Sequence, residues 1–115
     1  MILELVEFKS PAGWDRAEIL EDAKKTVPKW RANRDLVRKH FLLGHDGTGA
    51  GVYIWPSIEA AKSAHNAEWE AAVVKRTGGR PTIRYFDLML LVDNEAGTVT
   101  EWPQDGVARV LTPAA

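Results

Sequence analysis

The sequence predicts an α+β domain of order βαββαβ, and three observations carry the prediction. The first is a central hairpin, in which residues 36–43 form an apolar and basic run, residues 44–49 a Gly/Asp/Thr turn and residues 50–55 a second extended run. The second is that each flank of this hairpin supplies one helical pattern and one outer strand. The third is the outer strand at residues 81–92. Its alternate sets, Ile83, Tyr85, Met89, Leu91 and Phe86, Leu88, Leu90, Val92, are both mostly apolar, so both faces are expected to be buried. Such an order closes into a ferredoxin-like antiparallel sheet with both helices on one face. The other face needs a cover, and in a chain of 115 residues the available cover is a second copy of the same sheet.

Each element has its own local signals. Strand one covers residues 2–8 and stops at Ser10-Pro11-Ala12-Gly13. Asp15 with Glu18 three residues on resembles a capping box, and Ile19, Leu20, Ala23, Val27 and Trp30 keep the helical period behind it. Pro28 interrupts that stripe and is expected to kink the helix or end it near Val27. Ser57 is the expected N-cap of helix two. Asn66 is a second candidate cap, so the segment from Ser57 to Lys75 divides into two helical pieces near His65 before Gly78-Gly79 ends it. In the tail, residues 98–102 and 107–111 flank Pro103-Gln104-Asp105-Gly106 and read as a small hairpin or an arm on the partner copy. The expected division is a domain at residues 1–94 and a tail at 95–115.

Composition narrows the classes of function. There is no cysteine, which excludes disulfides, thiolate nucleophiles and cysteine-ligated metal or iron–sulfur sites. The N-terminal stretch carries Glu4 and Glu7 among its apolar residues and does not read as a signal peptide, and no apolar run approaches the ~20 residues of a membrane span. A net charge of -1 gives no general attraction to nucleic acid or anionic lipid. The expectation is therefore a cytoplasmic homodimer with no nucleic-acid or membrane partner. The segment at residues 48–55 has the glycine spacing of an RNA recognition motif, but Ala50 and Val52 stand where stacking aromatics are needed. His40, His45 and His65 lack metal-ligand spacing, and the hairpin glycines precede no phosphate-loop helix, so neither a metal nor a cofactor is expected.

Among the remaining polar residues, His65 stands in the stripe Ile58, Ala61, His65, Trp69, Val73 of helix two. Two readings are open: a pocket base, since imidazole titrates near neutrality, or a histidine bonded at a helix break. Arg38 and His40 share one face of strand two and are suited to hold a phenolate or enolate. Charges at Arg38 and Lys39 equally suit an edge strand that avoids aggregation. Tyr53, Trp55 and Trp69 are either core or the walls of a flat aromatic ligand site. A cavity of roughly 300 Å³ or more beside His65 or His40 would separate an enzyme from a binding or structural protein.

The block Leu36-Val37-Arg38-Lys39-His40-Phe41-Leu42, then Gly51-Val52-Tyr53-Ile54-Trp55, then Ile83-Arg84-Tyr85-Phe86 with Val92-Asp93-Asn94 resembles the small monooxygenase-like proteins of the dimeric α+β barrel superfamily, relatives of the antibiotic-biosynthesis monooxygenases. The resemblance covers residues 1–94. It implies cofactor-independent oxygenation of a small phenol or quinol-like ring between sheet and helices, with His65 or His40 as base, Arg38 as anion partner and Tyr53, Trp55 and Trp69 as walls. A non-catalytic ligand-binding or stress-related dimeric barrel is the alternative. Trp55 and His65 also match the heme-degrading branch, from which the chain departs at strand one, with Glu4 and Glu7 where that branch has asparagine.

Overall fold

The computed structural model of the chain describes residues 1–104 and 106–111. Seven elements build the main layer pair: β1 (Ile2–Lys9), α1 (Arg16–Ala32), β2 (Arg38–Leu43), β3 (Thr48–Trp55), α2 (Ile58–Ala64), α3 (Ala67–Thr77) and β4 (Thr82–Asp87). The strands pair in the order β2-β3-β1-β4, antiparallel throughout, as the ferredoxin-like reading requires. The caps fall where the sequence puts them. Asp15 accepts from the Glu18 amide at 2.9 Å, Ser57 from the Ala60 amide at 3.2 Å and Asn66 from the Trp69 amide at 3.0 Å. Gly78 ends α3 in the left-handed region at φ 80°, a conformation that favours glycine. His65 is the C-cap of α2, so the break between α2 and α3 is at the expected place.

Two expectations need correction. Helix α1 does not end near Val27: it runs through Pro28 to Ala32. The last turn carries Trp30, which is buried against Tyr53 and the rest of the core, and that burial outweighs the local cost of a proline inside a helix. The long strand at residues 81–92 is two strands. β1 begins at Ile2, paired with Asp87, so β4 has no partner beyond that residue. The Leu88 amide closes the pairing on the Met1 carbonyl, and the chain then crosses into a second sheet. There β5 (Leu90–Asp93), β6 (Thr98–Glu101) and β7 (Arg109–Leu111) pair antiparallel in sequence order. The tail hairpin thus exists as β6 and β7, and it takes β5 as a third strand; Asp105 lies outside the described residues.

The second sheet pairs only within itself and stands off the first. The molecule is accordingly elongated, at 51 × 28 × 24 Å, with a radius of gyration of 16.2 Å. A compact chain of this length has roughly 13 Å. No helix among the described residues is long and apolar enough to cross a membrane.

Burial along β3 alternates strictly and defines the two faces of the main sheet. Gly49, Gly51, Tyr53 and Trp55 are buried toward the helices, while Ala50, Val52 and Ile54 face away and are only half-buried. Val6, Trp30, Tyr53, Trp55 and Ala61 form the core between sheet and helices. By register the opposite face carries Leu3 and Leu5 from β1, Val52 and Ile54 from β3, Phe86 and Arg84 from β4, and Arg38, His40 and Leu42 from β2. Among the described residues no other element packs across that face, and Phe86, Arg38 and His40 on it are exposed.

Candidate functional site

A cavity of about 200 Å³ lies between the helix-facing side of the sheet and the helices α1 and α3. It exists because β3 places two glycines in its floor. A Cβ on Gly49 would stand 2.7 Å from the Phe8 ring, and one on Gly51 would stand 3.0 Å from the Tyr53 ring. Larger residues at these inward positions would fill the space or displace those rings. Trp30 from α1, Trp69 from α3, Phe41 from β2 and Tyr53 from β3 supply the aromatic walls.

Lys39 brings the polar chemistry into this cavity. Its Nζ donates to Tyr53 Oη at 2.7 Å and lies 4.2 Å from the centroid of Trp30, 4.0 Å from Phe41 and 4.4 Å from Tyr53. Burial, and then the like charges of Lys29 and Arg76, bring its pKa down from 10.5 to about 7, against a smaller opposing pull from Glu4. At neutral pH the group is thus divided between amine and ammonium. Burial, followed by the charge of Glu4, pushes the Tyr53 phenol above its ordinary value, so it stays protonated.

Behind the cavity wall is a buried polar centre. Glu4 is fully buried, and its Oε1 accepts from Trp55 Nε1 at 2.9 Å. His65 Nδ1 approaches the same oxygen to 2.8 Å, a distance fit for an ion pair. The approach lacks the alignment of a directed hydrogen bond, and among the described residues neither imidazole nitrogen has a hydrogen-bond partner, whereas the Tyr85 side chain is within hydrogen-bonding range of the Glu4 carboxylate. Around the imidazole stand Tyr53 at 4.5 Å and Trp69 at 4.4 Å, both edge-on, with Trp30 at 5.6 Å. Burial and the Glu4 charge also raise the Tyr85 phenol, which faces Glu4 across the β1–β4 pairing.

The structure therefore brings together His65, Tyr53, Trp55 and Trp69, and adds Glu4 and Lys39, which the sequence reading did not select. Tyr53 and Trp69 line the cavity, whereas His65 and Trp55 sit behind it with Glu4. Arg38 and His40 are exposed on the opposite face of the sheet. The cavity is smaller than the roughly 300 Å³ set above as the mark of an enzyme, and neither His65 nor His40 is in its wall, so the expected pocket around those histidines is not found. A second, more open cleft of about 410 Å³ lies where the end of α1 meets β2; Arg38 and Arg31 line it, and it shares Trp30, Lys39 and Phe41 with the first. The signal for Lys39 was strand parity. It lies between Arg38 and His40, so it faces the other way, and the β2–β3 register sets it opposite Tyr53.

A four-stranded antiparallel sheet with its helices on one face and an aromatic-walled cavity between them defines a small α+β protein with a ferredoxin-like fold. Two solved structures share this fold. One is an antibiotic biosynthesis monooxygenase, at TM-score 0.59 and 13% identity over 77% of this chain and 99% of that one. The other is a protein of unknown function from Nitrosomonas europaea, at TM-score 0.64 and 14% identity over 79% of this chain and 91% of that one. No family model matches the sequence, and no curated protein matches it.

Two consequences are measurable. Replacing Trp55 with Phe removes the donor to a buried carboxylate and leaves a void where the second ring of the indole packed, and should cost at least about 1.5–3 kcal/mol in chemical denaturation; a change within error would show that neither the bond nor the packing contributes. Lys39 links stability to pH. Its folded pKa of about 7 lies below the unfolded value of 10.5, so between these pH values the unfolded chain holds more protons and stability rises with pH. Relative to Lys39→Met, the wild-type melting temperature should therefore climb from pH 7 to pH 10. Parallel curves would contradict the assignment.

Proposed function

We propose that the protein is a cofactor-independent monooxygenase of a small single-ring phenol or quinol, bound in the cavity between sheet and helices. One observation carries this reading: a largely buried lysine amine, hydrogen-bonded to Tyr53 and held among aromatic rings in a cavity the size of one ring, where burial lowers its pKa. The likeness in fold to an antibiotic biosynthesis monooxygenase supports it. Lys39 as free amine accepts the hydroxyl proton of the substrate, and the resulting ammonium, hydrogen-bonded to Tyr53, faces the phenolate. The electron-rich ring then reacts with molecular oxygen. For a simple phenol one oxygen atom becomes the new quinone carbonyl, and the other leaves as water with the hydroxyl hydrogen and one ring hydrogen. The ring supplies all the electrons.

Other groups serve this chemistry indirectly. His65 holds the Tyr53 and Trp69 rings edge-on and is itself held at Glu4, so its part is positioning. Arg38 and His40 belong to the open face. Heme does not suit the site: the cavity has the volume of one small ring, and Glu4 already occupies the space beside Trp55 and His65.

Oxygen consumption with hydroquinones and simple phenols tests the reading. Lys39→Met should lower turnover about a hundred- to ten-thousand-fold while leaving the protein folded. Ligand binding with no oxygen uptake in the wild type would assign the chain to ligand binding alone.

The assembly is part of the proposal. A homodimer formed by packing the open sheet faces buries Leu3, Leu5, Val52, Ile54 and Phe86, which the monomer leaves half-buried or exposed. Light scattering at micromolar concentration should give twice the chain mass of 12.8 kDa. A monodisperse monomer would rule the dimer out.

A further inference from the structure

The charged residues of the cavity wall are Asp22, Lys29, Lys39 and Arg76. Three are cationic in a chain whose net charge is -1, so the cavity collects positive charge that the protein as a whole lacks. The single acid is already engaged, with Asp22 Oδ2 3.6 Å from Arg76. Lys39 is short of acceptors as well. An ammonium has three N–H donors, and among the described residues only Tyr53 Oη is hydrogen-bonded to Nζ. The faces of Trp30, Phe41 and Tyr53 tolerate the charge but offer the remaining N–H groups no oxygen.

Building on the single-ring site above, we propose that the cavity takes an aromatic carboxylic acid as its anion, with the carboxylate on Lys39 between Lys29 and Arg76. The ring lies against the aromatic walls, and the two carboxylate oxygens satisfy the N–H groups left over by Tyr53. A ring acid held in this way keeps Lys39 as ammonium, so it competes with the phenol for the site and is not itself the substrate oxidised there.

Proton linkage supplies a signature that packing alone lacks. The groups facing Lys39 are Lys29 and Asp22 from α1, Arg76 from α3, Glu4 from β1 and Tyr53 from β3. Lys29 and Arg76 lower its pKa and Glu4 raises it, with the sum at about 7 after burial. A carboxylate in contact acts in the same sense as Glu4 and at shorter range. Binding above pH 7 must therefore take up a proton, and the apparent affinity falls with the fraction of ammonium.

The test is calorimetric titration of wild-type protein with benzoate, and with benzyl alcohol as its neutral counterpart, between pH 6 and pH 9. Benzoate stays ionised throughout, so any pH dependence belongs to the protein. Benzoate should bind more tightly than benzyl alcohol at pH 6 and weaken roughly a hundredfold by pH 9, as the ammonium fraction of a group titrating at about 7 falls. At pH 8, buffers of different ionisation heat should report proton uptake. Lys39→Arg keeps its charge and should bind benzoate with little pH dependence. Equal affinity for the two ligands at pH 6, or the same benzoate affinity at pH 6 and pH 9, overturns the proposal, and the wild-type series decides alone if the variant does not fold. Benzoate carries no hydroxyl to oxidise, so this result is independent of oxygen uptake with unsubstituted hydroquinone, which tests the monooxygenase reading.

Discussion

The buried carboxylate of Glu4 organises the helix-facing side of the sheet. It is the centre of a cross-strand row in which each of the four strands contributes one residue: Lys39 on β2, Tyr53 on β3, Glu4 on β1 and Tyr85 on β4. A charge removed from water is tolerated only with partners, and Glu4 finds them in the indole of Trp55 and the imidazole of His65. Because His65 caps α2 at the break before α3, the same carboxylate ties both helical pieces to the sheet. The break and the charge depend on each other. Without the imidazole the carboxylate would keep the indole of Trp55 and the neighbouring Tyr85 hydroxyl.

This row also sets the electrostatics of the cavity. Burial, and then the charge of Glu4, push the Tyr53 and Tyr85 phenols up, and Glu4 pulls Lys39 toward the charged form. Burial and two neighbouring cations pull Lys39 the other way and prevail. The pKa of about 7 is thus a balance between opposed effects, with Tyr53 standing between acid and base. Deleting either charge at the ends of this arrangement alters the other, so effects of Glu4 and Lys39 substitutions are not expected to add.

Local signals were legible in the sequence wherever one residue decides the backbone. Asp15, Ser57, Asn66 and Gly78 cap helices as their side chains, or in the case of Gly78 the lack of one, dictate. The hairpin turn is likewise set by Asp46, which accepts from the Thr48 amide, and by Gly47 at φ 88°. What was not legible depends on register. Strand parity puts Lys39 on the face opposite Arg38 and His40, but only the pairing of β2 with β3 and of β3 with β1 aligns Lys39, Tyr53 and Glu4. Glu4 looked like a charge in an outer strand because nothing near it in sequence shows that an indole at position 55 and an imidazole at position 65 meet it. Pro28 misled for a similar reason. Its local cost was readable, whereas the burial of Trp30 two residues later is tertiary.

The second sheet follows from a mismatch of strand lengths. β4 runs out of partner at Asp87 because β1 starts at Ile2, and the apolar residues beyond it, Leu90, Leu91 and Val92, pair with the tail instead. Two-sided apolarity in residues 81–92 therefore has two physical origins. Ile83 and Tyr85 face the helices while Phe86 lies on the open face of the main sheet; Met89, Leu90 and Val92 belong to the separate strand region and are largely exposed. A single continuous strand would have put all of these residues on the faces of one barrel. With the strand divided, only the open face of the main sheet can form a barrel interior, and Arg38, His40 and Arg84 lie there among the apolar residues. Those polar side chains lie on the other side of the sheet from the Lys39 cavity. In the proposed function and assembly, chemistry within one protomer and packing between protomers would therefore use opposite faces of the same four strands.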